Sequence, residues 1–170
     1  MSTIDSFSGR NKYLSNFSSH GFHYGGVWCR TSEHAFQAMK STNREDFLYV
    51  IEAESPGQAK RRGRKIECRA DWRDVKIKIM FDIVKCKFDQ NTDIKAKLLT
   101  TRSDYLIEDN NWQDKEWGMT KENGKWVGRN ALGKILMVLR IYYIAQDIPD
   151  VDPQYMTELD SAIRNALKTI

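Results

Sequence analysis

Residues 131–144 read ALGKILMVLRIYYI, and apart from Lys134 and Arg140 they place apolar side chains around the whole circumference of a helix. A helix with no polar face cannot lie half in water, so it must be the most buried element of the chain. Only Pro56, Pro149 and Pro153 interrupt the sequence, and helices are expected at about 32–41, 44–53, 56–64, 71–89, 92–101, 131–145 and 154–168. In 71–89, Trp72, Val75, Ile79, Met80, Ile83, Val84 and Phe88 recur at three- and four-residue spacing with lysines largely opposite, which reads as a core helix. In 154–168, Met156, Leu159, Ile163 and Leu167 share one face, suited either to docking on the body or to self-association. Strand signals are short: 12–17, and a hairpin over 22–29 with Gly25 and Gly26 between its arms. Residues 103–130 show little periodicity and many Asn, Asp, Gly and Trp, which reads as a long irregular functional loop. The expected fold is α+β and mostly α, one compact domain over residues 1–146 with small β elements, followed by a helical extension over 147–170.

At 170 residues, a chain with 41% apolar content and five tryptophans can bury a real core, which excludes disorder. No apolar run approaches the 18–20 or so residues of a membrane span, and the N-terminus has no apolar signal core, so a cytoplasmic protein without membrane partners is expected. Cys29, Cys68 and Cys86 are odd in number and scattered, fitting reduced thiols, buried or incidental. His20, His23 and His34 lack the spacing of a ligand set, so no metal and no cofactor is expected. The net charge of +4 concentrates in AKRRGRK at 59–65 and KIKIMFDIVKCK at 76–87. Such runs suit either a phosphate-bearing ligand or an ordinary solvated helix face. Asp104, Glu108, Asp109, Asp114 and Glu116 form an acidic cluster, by itself no more than a polar surface.

The segment TSEHAFQAMK at 31–40 places Glu33, Gln37 and Lys40 within a helical sector roughly 60° wide, with Thr31 or Ser32 able to cap its start. That stripe is a wet surface or a functional face; the segment alone leaves both readings open.

Taken in order, YLSNF at 13–17, SEHAFQAMK at 32–40, SPGQAKRRGR at 55–64, then Trp72, Met80, Lys87 and Phe88, IE at 107–108, DKEWG at 114–118 and GRNALGKILMVLR at 128–140 resemble the NADAR family, also called YbiA-like. The resemblance covers about residues 7–143, with departures at Thr31, at Thr120 and in the loop SSHGFHYGG. It implies a mostly helical α+β domain that cleaves N-glycosidic bonds between a base-like nitrogen and a phosphorylated ribose. The substrates it implies are ADP-ribose on guanine, in a nucleotide or in nucleic acid carrying the modification, and ribosylamino-pyrimidine intermediates of riboflavin synthesis. In such a fold the stripe of Glu33, Gln37 and Lys40 lines the cleft.

N-glycoside cleavage builds positive charge on the anomeric carbon and negative charge on the departing base, so a carboxylate and a proton donor both help. Glu33 is the first carboxylate. Lys40, if desolvated, is a neutral amine able to attack that carbon and pass through a Schiff base; otherwise it is a point charge for phosphate. Asp114 is expected to accept from a base N–H or ribose hydroxyl, and Trp117, next to Gly118 of the same motif, to stack on the base unless it is a core residue. Asn16 and Asn130 are candidates for ribose and phosphate, Asn130 because a helix N-terminus favours an anion. Trp112 and Trp126 receive no role. Reading the same features without catalysis gives an ADP-ribose-binding or nucleic-acid-binding module.

Overall fold

The computed structural model describes residues 2–110 and 113–170, so Trp112 lies outside the described residues. The fold is α+β and mostly helical, with three two-stranded sheets among the described residues. Its contacts gather into two units, one spanning Lys12–Ile94 and the other formed by the residues up to Asn11 together with Lys95–Ile170.

In the Lys12–Ile94 unit, a hairpin of β2 (Phe22–Tyr24) and β3 (Val27–Cys29) turns at Gly25 and Gly26, both at positive φ. Helices α1 (Ser32–Ala38), α2 (Arg44–Ile51), α3 (Pro56–Arg62) and α4 (Trp72–Gln90) follow. Thr31, Asn43 and Ser55 each accept a first-turn N–H, which starts the first three helices where the sequence predicts. The short α1 packs against α2, α3 and α4, and all seven of its residues are buried. Ala35 and Ala38 let neighbouring backbones approach, and Phe22, Val50, Ala53, Ala59, Ile83 and Phe88 fill the surrounding core.

Three expectations for this unit need correction. Residues 12–17 form no strand: Gly9–Leu14 is a 3-10 helix, entered at Gly9 with φ +51 and held by i→i−3 bonds such as Ser15 N–H to Lys12 O. Aromatic side chains fit the buried side of such a turn as well as they fit a strand. Helix α1 stops at Ala38, so Lys40 lies in the following turn, where its own N–H bonds Gln37 O and its carbonyl accepts from Arg69 N at 2.7 Å. Lys87 lies not with the solvated lysines of α4 but in the core, 1% exposed.

In the other unit, β1 (Thr3–Ile4) pairs in parallel with β4 (Tyr105–Leu106). Helix α5 (Thr92–Thr100) begins in the first unit and ends in this one. Helix α6 (Ala131–Gln146) is its centre, with Leu132, Ile135, Leu136, Leu139 and Tyr143 fully buried. Arg140 breaks the apolar run yet is buried, because its guanidinium donates to Thr101 Oγ1 at 2.7 Å and to the Asp104 carbonyl. Helix α7 (Pro153–Thr169) packs against α6 with Ile163 and Leu167 buried, the first of the two uses its apolar face suggested. The stretch 103–130 is more regular than expected. Besides β4 it holds the hairpin β5 (Thr120–Glu122) and β6 (Lys125–Val127), turning through Asn123 and Gly124 at φ 49° and 77°. Asn-Gly is the pair that a two-residue hairpin turn favours; its three-residue arms are too short for a periodicity test.

No helix among the described residues is long and apolar enough to cross a membrane.

Candidate active site

Asn16, Glu33, Gln37 and Lys40 belong to the Lys12–Ile94 unit, and Asp114, Trp117, Gly118 and Asn130 to the other.

The polar stripe of α1 is not a wet surface. Glu33 is 6% and Gln37 5% exposed, and Gln37 Nε2 donates to Glu33 Oε1 at 2.8 Å. A charge-assisted bond of this kind fixes one carboxylate oxygen. The start of α1 is joined to the YLSNF segment, since Glu33 N–H donates to Asn16 O at 3.0 Å. His34, between them, has a structural part. Its Nε2 faces the Ala53 carbonyl at 3.0 Å, which requires the proton there, so Nδ1 accepts from the Thr31 hydroxyl at 2.8 Å. Burial lowers its pKa, the Ala53 bond notwithstanding, and it stays neutral.

Four buried polar atoms on these two segments have no hydrogen-bond partner among the described residues: Asn16 Oδ1, Ser18 Oγ, Ser32 Oγ and Gln37 Oε1. Each unmade bond at a buried atom costs about 1–3 kcal/mol. Unmade bonds at buried atoms are uncommon in a folded protein, and here they gather on the two segments that the Glu33 N–H joins.

Lys40 is half-buried, and burial is the main cause of its lowered pKa; Glu33 opposes the shift, while Arg64 and Lys60 add to it. The amine is thus easier to deprotonate than an ordinary lysine, and its electrostatic neighbourhood combines the Glu33 carboxylate with two further cations, Arg64 and Lys60. The basic run is divided by the fold. Arg62 is tied down over the Tyr49 ring at 4.6 Å while donating to the Tyr49 carbonyl. Lys60 and Arg64 are the members that act on Lys40. Gly63, between them, lies against Gln37: a Cβ there would fall 2.3 Å from Gln37 Oε1 and 2.9 Å from its Cβ.

In the second unit the motif residues shape a loop. Asp114 Oδ1 accepts from Glu116 N at 3.1 Å and Trp117 N at 3.0 Å, while Asp114 N and O are both held by the Asn110 side chain. Trp117 is half-buried. Gly118 is required by close approach, since a Cβ would meet Glu108 O at 2.3 Å. Asn130, at φ +54, donates to Leu106 O at 2.7 Å and accepts from Glu108 N. The N–H groups of Asn130, Ala131 and Leu132 donate to Gly118, Glu116 and Trp117 carbonyls. The start of α6, expected to receive an anion, therefore spends these donors on the protein itself, and Asn130 serves the shape of the loop.

Gly63 and Lys87 stand within the motifs read along the sequence, yet sequence reasoning gave neither a role in the site. A signal for Lys87 was present, because it lies three, four and seven residues after Val84, Ile83 and Met80, on the apolar face of α4. Gly63 carries no such signal: its φ is ordinary, and only the approach of α3 to α1 explains it.

A NADAR domain profile matches residues 6–142. A Vibrio vulnificus riboflavin biosynthesis protein is 35% identical over 130 residues, 75% of this chain but only 34% of that longer protein. An N-glycosidase of Nostoc punctiforme is 37% identical over 132 residues, 75% of this chain and 82% of its own length. The solution structure of Escherichia coli YbiA superposes with a TM-score of 0.77 at 31% identity, covering 90% of this chain and 92% of that one. Profile, relatives and fold agree with the motifs read in order along the sequence, and the chain belongs to the NADAR family.

Proposed function

We propose that this chain removes ADP-ribose from ADP-ribosylated guanine by cleaving the bond between the anomeric carbon and the base nitrogen. The broader class is that of its relatives: a hydrolase of N-glycosyl compounds. The observation that carries the reading is Glu33, a buried carboxylate held by Gln37, with Lys40 acting on it electrostatically and with unpartnered Asn16 and Gln37 oxygens nearby in the chain.

In direct hydrolysis, the C1′–N bond breaks, water supplies the new C1′–O bond, and the base leaves carrying a proton. Glu33 balances the positive charge on the sugar or takes the proton of the attacking water. In the covalent route the Lys40 amine forms the new bond to C1′ as the base leaves protonated. The ring oxygen then departs as the C4′ hydroxyl to give a Schiff base, which water hydrolyses, releasing the sugar and restoring the amine. The lowered pKa of Lys40 supports this route. Lys60 and Arg64 support a pyrophosphate-bearing sugar, since two further cations complement two phosphates better than one. The name of the Vibrio relative favours a second reading, a ribosylamino-pyrimidine intermediate of riboflavin synthesis, which carries a single phosphate.

Mass spectrometry of ADP-ribosylated guanosine, ADP-ribosylated DNA and the riboflavin intermediates, each incubated with the protein, separates the readings. Release of guanine from the first two supports the proposal. Turnover of the riboflavin intermediate alone replaces it with the second reading. Binding of ADP-ribose without release of any base makes the chain a sensor instead.

A further inference from the structure

We infer that Lys87 is a positioning residue of the glycosidase centre, a buried clamp on the Tyr13–Ser15 turn that fixes Asn16 and, through Asn16, the start of the helix bearing Glu33. Lys87 Nζ donates to Tyr13 O at 2.5 Å and to Ser15 O at 3.1 Å. These carbonyls lie at the C-terminal end of the 3-10 helix, where carbonyl groups run out of helical partners and a cationic or N–H donor is favoured. The next residue is Asn16. Its carbonyl takes the Glu33 N–H at 3.0 Å, and its side chain donates to Met80 Sδ at 3.5 Å, one face of α4 thus holding both ends of the turn. A continuous set of bonds therefore runs from α4 through residues 13–16 to the first turn of α1.

Burying a lysine is expensive, and an apolar residue of the same length would avoid the cost. No carboxylate among the described residues pairs with Lys87 in return, and the Phe88 ring, 5.1 Å from Nζ, offers only a weak contact. Burial, with a smaller contribution from Lys12, pushes the Lys87 pKa down to about 7. A neutral amine retains two N–H donors, matching the two carbonyls, so the clamp holds without a full charge. What the lysine supplies, and a methionine cannot, is the position of the turn.

The inference rests on the proposed glycosidase reading, and the test has one arm independent of activity. Lys87→Met keeps length and apolar packing but removes both donors. The expected result is a folded protein in which kcat falls about 10- to 100-fold while KM moves less, because the group displaced is Glu33. Hydrogen exchange of the Glu33 amide should accelerate at least about tenfold, with exchange in the centre of α4 unchanged. Glu33 exchange at the wild-type rate overturns the inference, as does accelerated exchange with unchanged kcat. If wild-type protein cleaves no N-glycoside, the glycosidase reading falls, and the exchange arm alone decides whether Lys87 places Glu33. Should Lys87→Met fail to fold, Lys87→Gln, which keeps an N–H donor on a shorter arm, carries the same two measurements. A folded Lys87→Gln protein with wild-type kcat and wild-type Glu33 exchange overturns the inference equally.

Discussion

Replacing Gly63 by alanine should disable the site by more than its cost to the stability of the fold accounts for. The new Cβ would stand 2.3 Å from Gln37 Oε1, 2.9 Å from Gln37 Cβ and 3.1 Å from Cδ. Swinging the amide aside relieves the first contact but not the second, because Cβ is fixed to the α1 backbone. Gln37 must therefore move by several tenths of an ångström to about 1 Å, stretching its 2.8 Å bond to Glu33. Loss of a hydrogen bond to a charged group costs about 1.5–3 kcal/mol, and overpacking a core about 1–3 kcal/mol. Against this, Gly63 has φ −63° and ψ −11°, which alanine adopts freely, and restricting the unfolded chain returns about 0.4–1 kcal/mol. The net loss of stability is thus about 1.5–5.5 kcal/mol, and a misplacement of about 1 Å next to the reacting carboxylate can in addition lower turnover about 100-fold. Thermal unfolding and kcat/KM for base release are the two assays. A folded Gly63→Ala protein with kcat/KM within about twofold of wild type would refute the reasoning, since Gln37 then has no part in orienting Glu33.

Glu33→Gln should lose nearly all base release by either chemical route, so Lys40 decides between them: Lys40→Arg should keep ligand binding, lose turnover and form no adduct with borohydride, whereas wild-type protein traps one. Near wild-type turnover by Lys40→Arg would leave Lys40 as an electrostatic contact only. Lys60→Ala combined with Arg64→Ala should raise KM for the ADP-ribosylated substrate about tenfold with less effect on kcat; an unchanged KM removes the argument for pyrophosphate. His34 has its pKa lowered by burial, so below about pH 6.5 the unfolded chain takes up a proton that the folded chain refuses. Stability should fall with pH from there down to the lowered folded value, and His34→Gln should flatten that fall in thermal melts taken between about pH 8 and 5; parallel slopes would show that His34 is not the group responsible.

The helices and the family were legible in the sequence because both are written in local order. Thr31, Asn43 and Ser55 announce helix starts one residue ahead, and the apolar circumference of ALGKILMVLRIYYI requires burial whatever surrounds it. Asn123-Gly124 was equally local, though its arms are too short to register as strands. The stripe on α1 was legible as a stripe, but whether it faced water or protein depended on α2, α3 and α4 closing over it. The roles of Gly63 and Lys87 depend wholly on tertiary structure. One is a clearance between helices twenty-odd residues apart in sequence, and the other is a bond to carbonyls 72 and 74 residues away. Likewise Asn130 looks from the sequence like a helix start open to an anion, and only the folded loop of Glu116–Gly118 fills that opening. Periodicity and capping report the interaction of a residue with its own turn of chain; which buried polar atoms find partners is decided when distant segments meet.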